Sequence, residues 1–437
     1  MELDQSVPIP HDIPLPLPAP EPLLVVLLVF SFLVHIIFVN LMFGGSILTL
    51  VFEWMGLKRP GYDDLAKEIA KTVTVNKSLA VVLGVAPLLL LNVLYTVYFY
   101  SANAMTGIAW IAVIPLVTMA FLLLYLHKYS WQRMARHKGI HLMMIAAACL
   151  IFLAIPLVFL TNINLMLFPE RWADVKGFLS ALMLPNVLPR YLHFIAASMA
   201  VTSLFLVGWF GRKRFRFQEK VPALPLPGVK KMLYSIALGV TGAQFIIGPL
   251  VYLTLPSHGV SGHMNLVILT GIATAIPAMV WMWREVDGSA EHIGQHLMKI
   301  AIALTVTVVC MGTGRHLYRE EALGPHKQAM AEKTQAYMAR VASAKEGLPV
   351  EVDAGGLSGE KVFKQYCVAC HAEDKRLVGP PVNEIRGFYV GNPQGIVDWV
   401  RAPGRRREDY PPMPAMPLPE DELRAVADFL LRTSSDQ

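Results

Sequence analysis

LLVVLLVFSFLVHIIFVNLMFGGSILTLV, residues 23–51, runs for 29 positions without a Lys, Arg, Asp or Glu and holds one ionisable side chain, His35. A helix needs roughly 20 apolar residues to cross the ~30 Å hydrocarbon core of a bilayer, so this stretch reads as a membrane span. Seven more stretches read the same way: 78–100, 107–127, 141–161, 189–210, 233–255, 264–283 and 297–314. The composition agrees. The 437 residues are 54% hydrophobic and 16% charged, with mean hydropathy +0.48, against about 25% charged in soluble domains. The fold class is therefore all-α, a polytopic membrane helical bundle of about eight transmembrane helices with further domains attached.

An even number of spans puts both termini on one side, and the basic residues say which. The loops after spans one, three and five hold Lys58, Arg59, Lys67 and Lys71, then Lys128, Arg133, Arg136 and Lys138, then Arg212, Lys213, Arg214, Arg216, Lys220, Lys230 and Lys231. The loops after spans two and six, SANAMTG and LPSHGVSGH, hold no Lys or Arg; the loop after span four holds Arg171 and Lys176. Basic loops stay in the cytoplasm. The expectation is a multi-pass protein of the bacterial inner membrane with both termini in the periplasm. The net charge of +6 says little by itself, because basic residues gather in such loops. Residues 1–22 are acidic and Pro-rich, the opposite of the basic start of a cleaved signal. They are expected as a periplasmic N-terminus, with the first span acting as the targeting signal.

Beyond the membrane region, expected over 23–315, residues 316–345 are polar and helix-prone, and EGLPVEVDAGGLSG reads as a linker. Residues 316–356 are thus expected as a helical tether and linker, and 357–437 as a small separate domain. That domain contains CVACH, Cys367 to His371. Two thiols two residues apart can bond both vinyl groups of one heme, and the next residue is then placed under the iron. The other cysteines, Cys149 and Cys310, lie in apolar runs, so no disulfide framework is expected. A c-type heme is attached outside the cytoplasm, on the side the loop charges select independently.

The domain resembles the class I cytochromes c. GEKVFKQYCVACH, the GPPV that follows, and YPPMPAMPLPEDELRAVADFLL carry the likeness. It implies a covalent heme c attached by Cys367 and Cys370, with His371 as one iron ligand and a Met from the Pro-rich loop as the other. Met413 is preferred for its spacing to the last helix and its Pro-Met-Pro context; Met416 stays open. Arg405, Arg406 and Arg407 near that loop form either a docking patch for an acidic partner or a solvated run.

Within the spans, His35 and His193 are the informative residues, because an ionisable group inside a membrane is costly and marks function. Gly44 and Gly45 leave room for a flat ring or a close helix crossing. His35-Ile36-Ile37-Phe38-Val39 with Gly44, NKSLAVVLGVA from Asn76, and YLHFIAAS around His193 resemble the large subunit of cytochrome bd quinol oxidases over about residues 23–260. The resemblance implies that His35 and His193 each ligate a b-type heme. Its second-helix carboxylates, long quinol-binding loop and Gly-Arg-Gln-Pro-Trp motif are absent here.

His316, His258, His263 and Met264 are the candidate second ligands. His292 and His296 are expected on one helix face, and His127, His137 and His141 as interfacial residues. Glu53, Glu170 and Glu285 all fall near span ends.

These observations point to a membrane b/c-type cytochrome. It would pass electrons between a quinol pool, or other membrane respiratory subunits, and a periplasmic electron carrier, with quinone as a possible further ligand. An oxidase of the bd kind fed by its own c heme, and an anchor that only displays the cytochrome, are the alternatives. No feature points to nucleic acid.

Overall fold

The computed structural model describes residues 17–345 and 359–432, without the side chains of 73–78, 258, 344 and 345. Most of the Pro-rich N-terminus, most of the expected linker and the His258 side chain lie outside the described residues. The chain divides into two compact units, Met1–Lys333 and Thr334–Gln437.

The first unit is a helical bundle. Leaving the shortest helical turns unlabelled, its helices are α1 Glu21–Gly56, α2 Pro60–Leu94, α3 Thr96–Thr106, α4 Ile108–Ser130, α5 Lys138–Leu165, α6 Val187–Phe210, α7 Leu226–Leu253, α8 Gly262–Asp287 and α9 Leu297–Lys345. Among the described residues seven helices are long and apolar enough to cross a membrane, and an eighth span is reached if the bent pair α2–α3 counts as one. Seven of the expected spans each fall on one of these elements, and 78–100 falls across α2 and α3. Large apolar side chains point outward on all sides, among them Phe30, Val82, Ile111, Leu122, Leu150 and Leu266, each more than 60% exposed. Water would not tolerate such a surface; hydrocarbon requires it.

Span two departs from the straight helix expected over 78–100. The chain turns by 110° at Tyr95, with no Pro or Gly there to announce it. Tertiary contacts make the break. The Tyr95 ring is 2% exposed, its hydroxyl bonds Glu320 of α9, and the Arg319 guanidinium lies 4.9 Å over its face. Asn92 Nδ2 and Thr96 Oγ1 bond back to the Leu88 and Asn92 carbonyls, at 2.9 and 2.7 Å, and satisfy backbone acceptors around the turn.

The polar half of α9 keeps packing after the apolar half ends. Tyr318, Ala322, Leu323 and Met330 share a core with Tyr95, Tyr98, Phe99 and Met264. At the end with the basic loops, a second core joins Leu48 and Phe52 of α1, Leu65 and Ile69 of α2, and Leu206 and Phe210 of α6. His292 and His296 sit in the turn between α8 and α9 and not on a helix. His296 Nδ1 is 2.9 Å from Glu285 Oε1, so the pair has a structural use and no shared helix face.

The second unit holds four labelled helices beyond the end of α9: α10 Gly359–Tyr366, α11 Val382–Phe388, α12 Pro393–Arg401 and α13 Glu420–Leu431. α10 and α13 cross so closely that a methyl group on Gly359 would run into the Ala425 carbonyl. Phe363 and Phe429 pack their rings at 5.8 Å beside that crossing. Asn392 caps α12 through Gly395 N, 3.0 Å away. The three acidic residues of the first turn of α13, Glu420, Asp421 and Glu422, complement its dipole.

Candidate heme sites

In the small unit the site is local. α10 leads into a tight turn in which Cys370 N and His371 N both bond the Cys367 carbonyl at 3.0 Å. The next segment folds back on the turn: Gly379 N bonds the Cys370 carbonyl and Val382 N the Ala372 carbonyl, both at 2.8 Å. That return brings the Pro380 carbonyl within 2.8 Å of His371 Nδ1. A carbonyl only accepts, so Nδ1 carries the hydrogen and Nε2 presents its lone pair. This is how proteins orient an imidazole toward a metal. Glycine is required at 379, because a methyl there would collide with the His371 ring. Neither Cys367 nor Cys370 is in a disulfide. Burial, reinforced by the Cys370 neighbour, pushes the Cys367 thiol up and keeps it protonated. The chemistry and spacing of this set fit a covalently attached heme.

The Met loop runs from α12 to α13. Met416 N bonds the Val400 carbonyl at 3.0 Å, which ties that residue to α12, and both Met413 and Met416 are half-buried. The arginine run is consumed within the domain. Arg406 lies 4.6 Å over the Trp399 ring and 4.7 Å over Tyr389. Arg407 pairs with Glu384 and Asp409, and Arg405 donates to the Glu408 carbonyl at 3.0 Å.

In the bundle the site is assembled from separate helices. α1 and α6 cross tightly at Gly44, where a methyl group would strike the Ser198 carbonyl and Thr202 Oγ1. Ser198 Oγ donates to Asn40 Oδ1 and Thr202 Oγ1 to the Asn40 carbonyl, both at 2.8 Å. Gly44 therefore serves a helix crossing. The two helices run in the same sense, since the C-terminal halves of both enter one core. His35 and His193 each lie five residues before the Asn40–Ser198 contact, about 7 Å up each helix. The two imidazoles thus share one depth. A methyl at Gly84 of α2 would sit 2.8 Å from His35 Cε1, so that ring too is packed against a glycine.

His35 Nδ1, His193 Nδ1 and His316 Nδ1 are all buried and make no hydrogen bond. Arg190 Nη1, Arg315 Nε and Arg319 Nε are buried and unbonded as well. Arg190 is one turn from His193 and within electrostatic reach of it, and Arg315 and Arg319 lie within reach of Arg190. Among the described residues none of these three arginines makes an ion pair. A buried guanidinium without a counter-charge is expensive, and an orphaned buried nitrogen costs the desolvation of that group. Heme supplies what both lack: a metal for an imidazole nitrogen and carboxylates for guanidinium groups. The residues present fit that group.

Of the other candidates, Met264 is fully buried in the core beside Tyr95, and His263 is exposed. His137 is exposed, whereas His127 and His141 turn inward onto Glu53 and are not interfacial. Sequence reasoning passed over His326, which is 6% exposed. Its Nδ1 lies 3.2 Å from the Tyr98 hydroxyl and its Nε2 is orphaned. Its position after Pro325 in a polar stretch concealed it. Arg190, Arg315 and Arg319 were passed over too, although a charged residue beside a span end was a visible signal.

Comparison with known proteins agrees with the two halves separately. The family described as cytochrome c oxidase, cbb3-type, subunit III, matches residues 354–430. Cytochrome c-551 of Azotobacter vinelandii is 35% identical over 79 residues, which is 17% of this chain and 95% of that protein. Cytochrome c-551 of Pseudomonas denitrificans is 30% identical over 78 residues, with the same coverage of 17% and 95%. Among solved structures, the bd oxidase from Geobacillus thermodenitrificans is similar at TM-score 0.57 and 14% identity, covering 74% of this chain and 96% of that one. At that identity the likeness is one of fold.

Proposed function

The chain belongs, through its C-terminal domain, to the cytochrome c family, and from that premise we propose a membrane b/c-type cytochrome that moves electrons between a quinol pool or a membrane partner and a periplasmic carrier. It is a multi-pass membrane protein with a bd-oxidase-like fold, and its C-terminal domain implies one covalent heme c. Heme, when bound, exchanges one electron at a time, and with both axial positions filled by side chains it offers no open site to a substrate.

In this reading Cys367 and Cys370 attach the c heme, and His371 and Met413 hold its iron. The Pro380 carbonyl keeps the His371 ring turned with Nε2 outward. His193 and His35 hold b-type hemes, and His316 is the leading candidate for a second ligand. Arg190, Arg315 and Arg319 bind heme carboxylates, and the Gly84 and Gly44 contacts hold α1 in place. The c domain lies on the periplasmic side, as the loop charges favour.

The observation that carries the membrane half is the coincidence of bare buried imidazole nitrogens with buried, unbonded arginine nitrogens in the same bundle. Pyridine hemochromogen spectra before and after acid-acetone extraction test it. Extraction removes b hemes and leaves thioether-bound heme c. The expected result is one or two extractable hemes per covalent heme, with a loss of extractable heme in His193→Ala and His35→Ala. Covalent heme alone would sink the b-heme assignment and leave the bundle as an anchor.

A further inference from the structure

At the opposite end of the bundle, among the basic loops, three side chains from three helices meet. Glu53 comes from the last turn of α1, His127 from the last turns of α4 and His141 from the first turn of α5. Their exposures are 0%, 1% and 0%. Glu53 Oε2 lies 2.6 Å from His127 Nε2, and Glu53 Oε1 contacts His141 Nδ1. The two imidazoles stack with centroids 4.0 Å apart, and Trp131 covers both edge-on. One atom from each of the three residues falls within 4.8 Å of the others.

With both imidazoles neutral and the carboxylate ionised, the hydrogen inventory does not close. His141 Nε2 is 2.8 Å from the His127 backbone carbonyl, and a carbonyl only accepts, so Nε2 carries the hydrogen. In a neutral imidazole Nδ1 then bears a lone pair. That lone pair faces a carboxylate oxygen, which is also an acceptor. Something positive belongs between them, either a proton or a metal ion. Lys138 Nζ stands 3.7 Å from Glu53 Oε1, but it bonds Asp63 at 2.6 Å and rests 4.5 Å over the Trp131 ring, so it does not fill the gap. An imidazole whose second nitrogen donates to a carbonyl is the arrangement that presents a ligand to a metal.

We propose that Glu53, His127 and His141 bind a divalent transition-metal ion that pins α1, α4 and α5 together. Two imidazole nitrogens and one carboxylate match zinc among the common ions. Glu53 lies 18 residues beyond His35, about 27 Å along the helix, so the ion is not a heme iron. The inference stands apart from the heme assignment.

The test is elemental analysis of the full-length protein purified without chelator, with heme iron counted separately from hemochromogen spectra. The expected result is about one non-heme divalent ion per chain, falling about tenfold in Glu53→Gln and in His141→Gln while heme content per chain is unchanged. A wild-type protein that holds no such ion, and takes up none on dialysis against zinc, would overturn the proposal in favour of a proton shared between Glu53 and His141. Equal metal in wild type and both variants would overturn it too. If the variants do not fold, the wild-type content and its zinc uptake decide alone.

Discussion

The two candidate heme regions prepare their histidines in opposite ways. In the small domain His371 is already oriented: the Pro380 carbonyl takes its Nδ1 hydrogen, and Gly379 gives the ring its place. In the bundle His35, His193 and His316 keep bare Nδ1 atoms, and one nitrogen each of Arg190, Arg315 and Arg319 is buried without a hydrogen bond among the described residues. The first site is built from consecutive residues whose backbone completes it. The second gathers groups from separate helices and leaves them unsatisfied among the described residues. Covalent attachment needs only the two neighbouring thiols, which the local turn supplies, whereas a non-covalent heme can contribute its own charges and metal to the fold it enters.

The sharpest way to break this comparison is Arg315→Met. If the arginine cluster serves heme carboxylates, the substitution lowers the retention of extractable heme in the loaded protein. In protein stripped of that heme it raises the melting temperature, because it removes a half-buried charge whose orphaned nitrogen costs about 1–3 kcal/mol. A change of the same sign in both forms would mean that the arginine is structural.

A smaller effect is expected at the preorganised site. Gly379→Ala drives a methyl into the His371 ring and should cost about 1–3 kcal/mol of domain stability. It should also shift the reduction potential while leaving the covalent heme count unchanged, since Cys367 and Cys370 are untouched. Met413→Ala against Met416→Ala sharpens the same site. Loss of the long-wavelength charge-transfer absorption of a sulfur-ligated ferric heme in the first and not the second would identify the ligand.

The smallest effect is on pH dependence. The Arg407 guanidinium holds the Asp409 carboxyl below its ordinary range, and Arg401 and Arg424 do the same for Glu420. A depressed folded value means that stability is present above the unfolded value and lost as pH falls through the folded one. Thermal melting of the c domain should therefore be flat from neutral pH down to the ordinary carboxylate range and decline below it. Both groups are exposed, so the decline is shallow. A decline that begins near neutral pH would point to other groups.

The sequence alone determined the helical class, the span positions and the attachment motif. Hydrophobic run length and the Cys-x-x-Cys-His spacing are local quantities, and local physics suffices to read them. His35 and His193 were legible as ionisable residues within apolar runs. Their shared depth was not, because it follows from the α1–α6 crossing at Gly44, a contact between residues 158 apart in the chain. The break at Tyr95 was invisible for the same reason: it is imposed by Glu320 and Arg319 of a distant helix and not by Pro or Gly. His127 and His141 read as interfacial residues among lysines and arginines until the fold turned both onto Glu53. Charge balance inside a bundle is a property of neighbours in space, and only the tertiary structure decided which polar groups found partners, as Glu53 did, and which kept an unbonded nitrogen, as Arg190 and Arg315 did.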